Sequence, residues 1–155
     1  MKKHFCIISF FILTFLFSQS KIDSLLKKYN TQHNLEKAKT GITIGEYYNK
    51  NSEYYKAIEY YHQAKEMVTN LPLPSNKKTQ QLAKINNSIG VNFYYAGNLQ
   101  KAMEYYMIAY KYEPQNVAFI SNIVTVFNSE NNYEKGKYYN DIALKISTKK
   151  KDYTN

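Results

Sequence analysis

The stretch AKINNSIGVNFYYAGNLQKAMEYYMIAYKYEPQN, residues 83–116, decides how the chain folds. Ile89 and Phe93 are four apart and share one face of a first helix. Ala102, Tyr106 and Ala109 mark the face of a second. Glycine at 90 and alanine at 102 lack bulk, so two antiparallel helices can approach closely there; larger side chains would force strain of roughly 1–3 kcal/mol. Gly97-Asn98 supplies the turn, because glycine takes the left-handed backbone after a helix at little cost. Pro114 suits the start of the following helix, where its missing N–H is not needed.

The pattern echoes on both sides. Upstream, Ile44, Gly45, Tyr48, Ala57, Tyr61 and Ala64 keep the same internal spacings. The step from Gly45 to Gly90 exceeds the downstream step of 34 residues by eleven, and Leu71-Pro72-Leu73-Pro74-Ser75-Asn76 is expected to take up much of the excess as a loop. Downstream come Ile120, Ile123, Phe127 and Ala143 in a degraded copy: Val124 replaces the glycine, Gly136 the first alanine and Asn140 the aromatic. A small-and-large pattern recurring at this period is the mark of stacked helical hairpins rather than a single enzyme core. An ordinary helical bundle would give the apolar spacing, but not the small residues, aromatics and turns together.

In these residues the chain resembles the tetratricopeptide repeat (TPR) family, with its pattern W-x2-L-G-x2-Y, A-x3-F and P. The central unit follows it at Ile89, Gly90, Phe93, Ala102, Tyr106, Ala109 and Pro114, and departs at Asn86, where a bulky apolar residue is usual. The expected fold is all-α: a TPR-like helical-hairpin solenoid of about three repeats with a short leading helix. Residues 21–34 form that helix, with Ile22, Leu25, Leu26 and Tyr29 on one face. The repeats occupy about 35–69, 77–112 and 116–148, and 149–155 is a polar tail. Ser52 and Asn131 stand at the turn position held by Gly97. Little sequence remains to cover Ile142, Leu144 and Ile146, so the last helix is either a contact edge for self-association or is shielded by Tyr138 and lysines.

Residues 1–20 are a separate matter. Lys2 and Lys3 precede an apolar run from Phe5 to Phe17, followed by Ser18-Gln19-Ser20, which fits an export signal cleaved before Lys21. That thirteen-residue run falls short of the roughly twenty that a membrane span needs. Cleavage would remove the chain's one cysteine, Cys6, and leave no stable membrane span. The expected location is the bacterial envelope, periplasmic or secreted. The remaining length suits one domain. The net charge of +9 is carried by scattered lysines with no arginine, the residue best fitted to bidentate phosphate and guanine contacts. Nucleic acid is therefore not an expected partner, and the 17 tyrosines reflect composition as much as function.

Chemistry is sparse. His62 lies one helical turn from Glu59 and Glu66, an arrangement that reads as charge pairing on a solvated helix and lacks the spacing of a zinc site. The five glycines form no phosphate-cradling loop, and the Asn86-Asn87-Ser88 sequon sits inside a predicted helix. No catalytic residue, metal site or cofactor is expected. The resemblance implies instead that the first helix of each pair lines a concave groove for a protein or peptide. Its positions here are Lys39, Ile42 and Glu46, then Lys84, Asn87, Val91, Tyr94 and Tyr95, then Ser121, Asn122 and Thr125. One branch of the family grips a terminal carboxylate; the matching positions are Ile42, Glu46, Ser88, Ala118 and Asn122, so that clamp is missing. Two other readings stand beside the groove. The chain resembles the outer half of bacterial signalling proteins, as a stand-alone or shortened relative. Its lysines could also bind an envelope polyanion, which steep salt dependence would reveal.

Overall fold

A computed structural model describes residues 19–152, with side chains described to residue 149. The proposed export signal falls on residues 1–18, outside the described residues, and Gln19 and Ser20 are already helical. Among the described residues there are seven helices and no strand. They are α1 over residues 19–31, α2 (Asn34–Lys50), α3 (Tyr54–Asn70), α4 (Ser75–Tyr95), α5 (Leu99–Tyr112), α6 (Val117–Ser129) and α7 (Tyr133–Asp152). From α2 onward each packs mainly on its neighbours in the chain, and α4 also touches α6. The result is a hairpin solenoid: α2 with α3, α4 with α5, α6 with α7. α1 covers the first hairpin, burying Ile22 and Tyr29 against Ile44.

The three tight turns share one construction. Ser52, Gly97 and Asn131 all take the left-handed backbone, at φ 61°, 81° and 57°. In each, the following residue's N–H donates to a carbonyl five residues back: Glu53 to Tyr48, Asn98 to Phe93, Asn132 to Phe127. The left-handed residue itself donates to the carbonyl three back, at Asn49, Tyr94 and Asn128. This is the Schellman closure, which satisfies carbonyls a helix end would otherwise strand. The next residue starts the second helix at once. Asn98 Oδ1 accepts from Lys101 N–H at 3.0 Å and Asn132 Oδ1 from Lys135 N–H at 3.4 Å, whereas Glu53 makes no such side-chain cap.

Register carries the interior as well. Ile44, Ile89 and Ile123 are fully buried, as are Ala57, Ala64, Ala102 and Ala109, and Ala143 is nearly so. In the first two hairpins the aromatic of the second helix presses on the glycine of the first. A Cβ placed on Gly45 would come 2.9 Å from Cζ of Tyr61, and the same hairpin position in the second unit pairs Gly90 with Tyr106. In the third unit both members are gone: Val124 stands for the glycine and an exposed Asn140 for the tyrosine. The degraded copy has thus lost both members of the pair.

Two expectations change. The eleven additional residues are not looped out. The connections Leu71–Pro74 and Glu113–Asn116 are equally long, at four residues. The insertion is helical: α3 has 17 residues against 14 in α5, and α4 has 21 against 13 in α6. Three of the eleven therefore lengthen the end of α3 and eight the start of α4, extending α4 by about 12 Å. Pro114 does not start a helix. It lies exposed in the turn after α5, where proline blocks continuation, and Asn116 caps α6 by accepting from Ala118 N–H at 3.2 Å.

A further periodic feature has three members. Tyr48 stacks on Tyr60, Phe93 on Tyr105 and Phe127 on Tyr139, with centroids 5.6–5.7 Å apart and planes within 22°. Over each first-helix ring lies a lysine of the second helix: Lys56 at 5.3 Å, Lys101 at 5.2 Å and Lys135 at 5.7 Å. Each hairpin is thus clasped near its turn by a lysine–ring–tyrosine stack.

Candidate functional site

The first helices α2, α4 and α6 present most of the residues expected to line a groove, and the structure divides these into three groups. Ile42, Glu46, Lys84 and Asn87 come together in one depression of about 340 Å³, which Gln81, Ile85, Ser88 and Phe119 complete. That is near the lower end of the range for ligand pockets, roughly 300–1,000 Å³. Val91 lies in an adjoining hollow with Glu46, Asn49, Lys50, Tyr61 and Ser88. Glu46 and Ser88 border both, so the two form one path between α2 and α4.

Across the path, α4 and α6 are tied by side chains. Asn122 Nδ2 donates to Asn87 Oδ1 at 2.7 Å. At the turn end, Ser129 sends its single proton to the Thr125 carbonyl at 2.9 Å, so Tyr94 is the donor in its 3.1 Å bond to Ser129 Oγ. Ser121 and Thr125 are exposed and bond back to their own helix, at Val117 and Ser121. Lys39 is also exposed but ion-paired to Glu36 at 2.7 Å. Tyr95 sits away from the depression, 60% exposed and stacked on Tyr54 at the hairpin edge.

The electrostatics are mixed rather than one-signed. The ion pairs among the described residues are Lys39–Glu36, Lys56–Glu53 and Lys137–Asp141, each between residues three or four apart in the chain. Neither Glu46 nor Lys84 belongs to one. Gln81 Oε1 is buried beside the depression without a hydrogen-bond partner. Tyr61, on the adjoining hollow, has its phenol pushed up to about 12 by burial, with the Glu46 carboxylate adding to the effect.

His62 corrects a sequence expectation. It forms no ion pair with Glu59 or Glu66; its ring stands edge-on to Tyr105, with Nε2 3.3 Å from the phenol oxygen. Burial lowers its pKa, helped by the Lys65 and Lys101 charges. The contact across α3 and α5 wins because Tyr105 offers a ring and a hydroxyl together, while Glu59 instead accepts from Gln63 on its own helix. The Asn86 sequon residue is fully buried, with Nδ2 donating to the Leu82 carbonyl at 2.6 Å. Among the described residues no His, Cys, Asp and Glu cluster could hold a metal, and no helix is long and apolar enough to cross a membrane.

A larger cavity lies elsewhere, about 880 Å³ between the lengthened start of α4 and the turn before α6, lined by Asn76, Thr79, Gln80 and residues Tyr112 to Ala118. Register could not have revealed it, because the α4 extension has no counterpart in the other units. On α7, Leu144 is 60% exposed and shares its face with the Lys137–Asp141 pair, while Tyr138 stands on another face against Tyr139.

No family model matches the sequence, and no curated protein matches it. Solved structures do match. BtubC (BKLC) from P. vanneervenii superposes with a TM-score of 0.68 at 17% identity, over 83% of this chain and 56% of that one. A MamA protein gives 0.71 at 19% identity, over 88% of this chain and 67% of that one, and MamA of AMB-1 gives 0.61 at 15%, over 82% and 62%. The chain thus spans little more than half the length of the BtubC structure. At these identities the likeness is one of fold, and that fold is the TPR-like helical-hairpin solenoid.

Proposed function

We propose that the chain is a non-catalytic protein–protein interaction module that holds an extended segment of a partner along α2, α4 and α6, and that it works in the bacterial envelope after export. The observation that carries this is the Asn87–Asn122 bond beside the α2–α4 depression. It leaves Asn87 Nδ2 and Asn122 Oδ1, one donor and one acceptor, free of other side-chain bonds. A peptide backbone presents the complementary pair at every residue. The amides are held by two packed helices, so little ordering cost falls on the receptor.

Site-specific photo-crosslinking tests the surface. A photoreactive residue at position 84 or 122 is expected to trap a protein partner in envelope preparations, and one at exposed position 104 on α5 is not. Equal trapping from both sides would remove the assignment. Sequencing of the N-terminus of the protein recovered from the envelope checks export, with Lys21 as the expected first residue. Retention of Met1 in a cytoplasmic protein would refute it.

A further inference from the structure

The depression between α2 and α4 has a more specific character than a polar groove. Ile42, Ile85 and Phe119 give it an apolar lining, and Ile85 and Phe119 are themselves almost wholly buried. Two side chains of opposite sign border it from different helices, Glu46 on α2 and Lys84 on α4, and neither is ion-paired. The three ion pairs among the described residues all join residues three or four apart in the chain, and Glu46 and Lys84 take part in none of them.

We propose that this depression reads one bulky apolar side chain, leucine, isoleucine or phenylalanine, of an extended peptide segment. A basic neighbour of that residue meets Glu46, and an acidic neighbour on its other side meets Lys84. The reading rests on the proposed groove and adds the partner's chemistry and direction. Charge complementarity sets the orientation, because a reversed segment would bring its basic residue toward Lys84 and its acidic residue toward Glu46. The apolar anchor supplies affinity by leaving water for a lined pocket, as buried anchors do at protein interfaces.

The test is selection of a phage-displayed random peptide library on the purified protein, on the Glu46→Lys/Lys84→Glu exchange and on Ile42→Arg. The wild type is expected to enrich peptides with an apolar residue between a basic and an acidic one. The exchange, which touches two exposed side chains, is expected to enrich the opposite charge order. A synthetic consensus peptide should bind Ile42→Arg about tenfold more weakly or worse, with circular dichroism showing that variant still helical. Peptides without a shared apolar residue, or a charge order indifferent to the exchange, overturn the pocket. If such peptides still lose binding to Asn87→Ala/Asn122→Ala, the groove reading stands without it. Enrichment no better than on Ile42→Arg and unaffected by the asparagine changes overturns both.

Discussion

The ring of Tyr106 occupies the space that a side chain at residue 90 would need: a Cβ built on Gly90 comes 2.6 Å from its Cδ1 and 3.2 Å from the Ala102 carbonyl oxygen. Neither neighbour can yield easily, since one is a buried ring and the other is backbone. Gly90→Ala is therefore expected to lower stability by roughly 1–3 kcal/mol, although alanine favours helix over glycine by about 1 kcal/mol. Gly45→Ala meets only the far end of the Tyr61 ring, at 2.9 Å, and should cost less. Val124→Gly relieves no clash with a tyrosine and should lose a few tenths of a kcal/mol of helix propensity plus the packing of a half-buried side chain, roughly 1 kcal/mol together. Urea denaturation of the three variants gives the order, and a Gly90→Ala protein as stable as wild type would contradict the close packing.

The turns offer a backbone test free of packing. Nothing lies within 4 Å of a Cβ added at Gly97, whose φ is +81°. Gly97→Ala should destabilise by about 1–2 kcal/mol through the left-handed backbone alone. At Ser52 the same conformation already carries a side chain, so Ser52→Gly should raise the melting temperature. Asn131→Gly should change it less, because asparagine tolerates this region better than serine. A drop for Ser52→Gly equal to the Gly97→Ala drop would show that the turns are not equivalent.

Asn92 is fully buried, with Nδ2 donating to the Ser88 carbonyl at 2.8 Å and Oδ1 unpartnered. Its register counterpart in the third unit is Val126, also fully buried. An orphaned buried acceptor costs about 1–3 kcal/mol, so Asn92→Val should stabilise the protein by about 1 kcal/mol or more once the lost hydrogen bond is counted. Asn92→Ala should not, since it leaves a void. A destabilised Asn92→Val protein would mean that the amide has a donor near it after all, such as a buried water.

Alkaline behaviour follows from Tyr61. Burial first, then the Glu46 carboxylate, raise its phenol to about 12, against about 10 in an unfolded chain. Between those values the unfolded state gives up a proton that the folded state keeps. The contribution to stability is therefore complete below about pH 10 and is lost as pH rises toward 12. Burial raises Tyr106 as well, in the same direction. Urea midpoints measured at about pH 9 and about pH 11 should fall less in Tyr61→Phe than in wild type. Identical slopes would place that phenol in contact with solvent.

Much of the fold could be read from spacing because small residues leave a sharp trace. Ile44, Ile89 and Ile123, the alanines, and the left-handed trio Ser52, Gly97 and Asn131 follow from register alone. The helical insertion did not. Pro72 and Pro74 announce a break, and Ser75 to Gln81 show no apolar period, so the start of α4 resembles loop until Leu82. The lysine–ring–tyrosine stacks were legible in principle, since each second helix carries lysine four residues before tyrosine at 56 and 60, 101 and 105, and 135 and 139. The family resemblance, not spacing, pointed to Ile42, Glu46, Lys84 and Asn87 for the candidate site. Gln81, Ile85 and Phe119 joined them only through the crossing of three helices, which no one-dimensional spacing contains.

The placement of the eleven additional residues has an architectural consequence. They lengthen α3 at its end and α4 at its start, next to the connection between hairpins and far from the tight turns. Growth there shifts no residue relative to its partner in either repeat, so the joint behaves like an adjustable post. Its height can change by whole helical turns while the three clasped hairpins, and the surface they share, keep their mutual alignment.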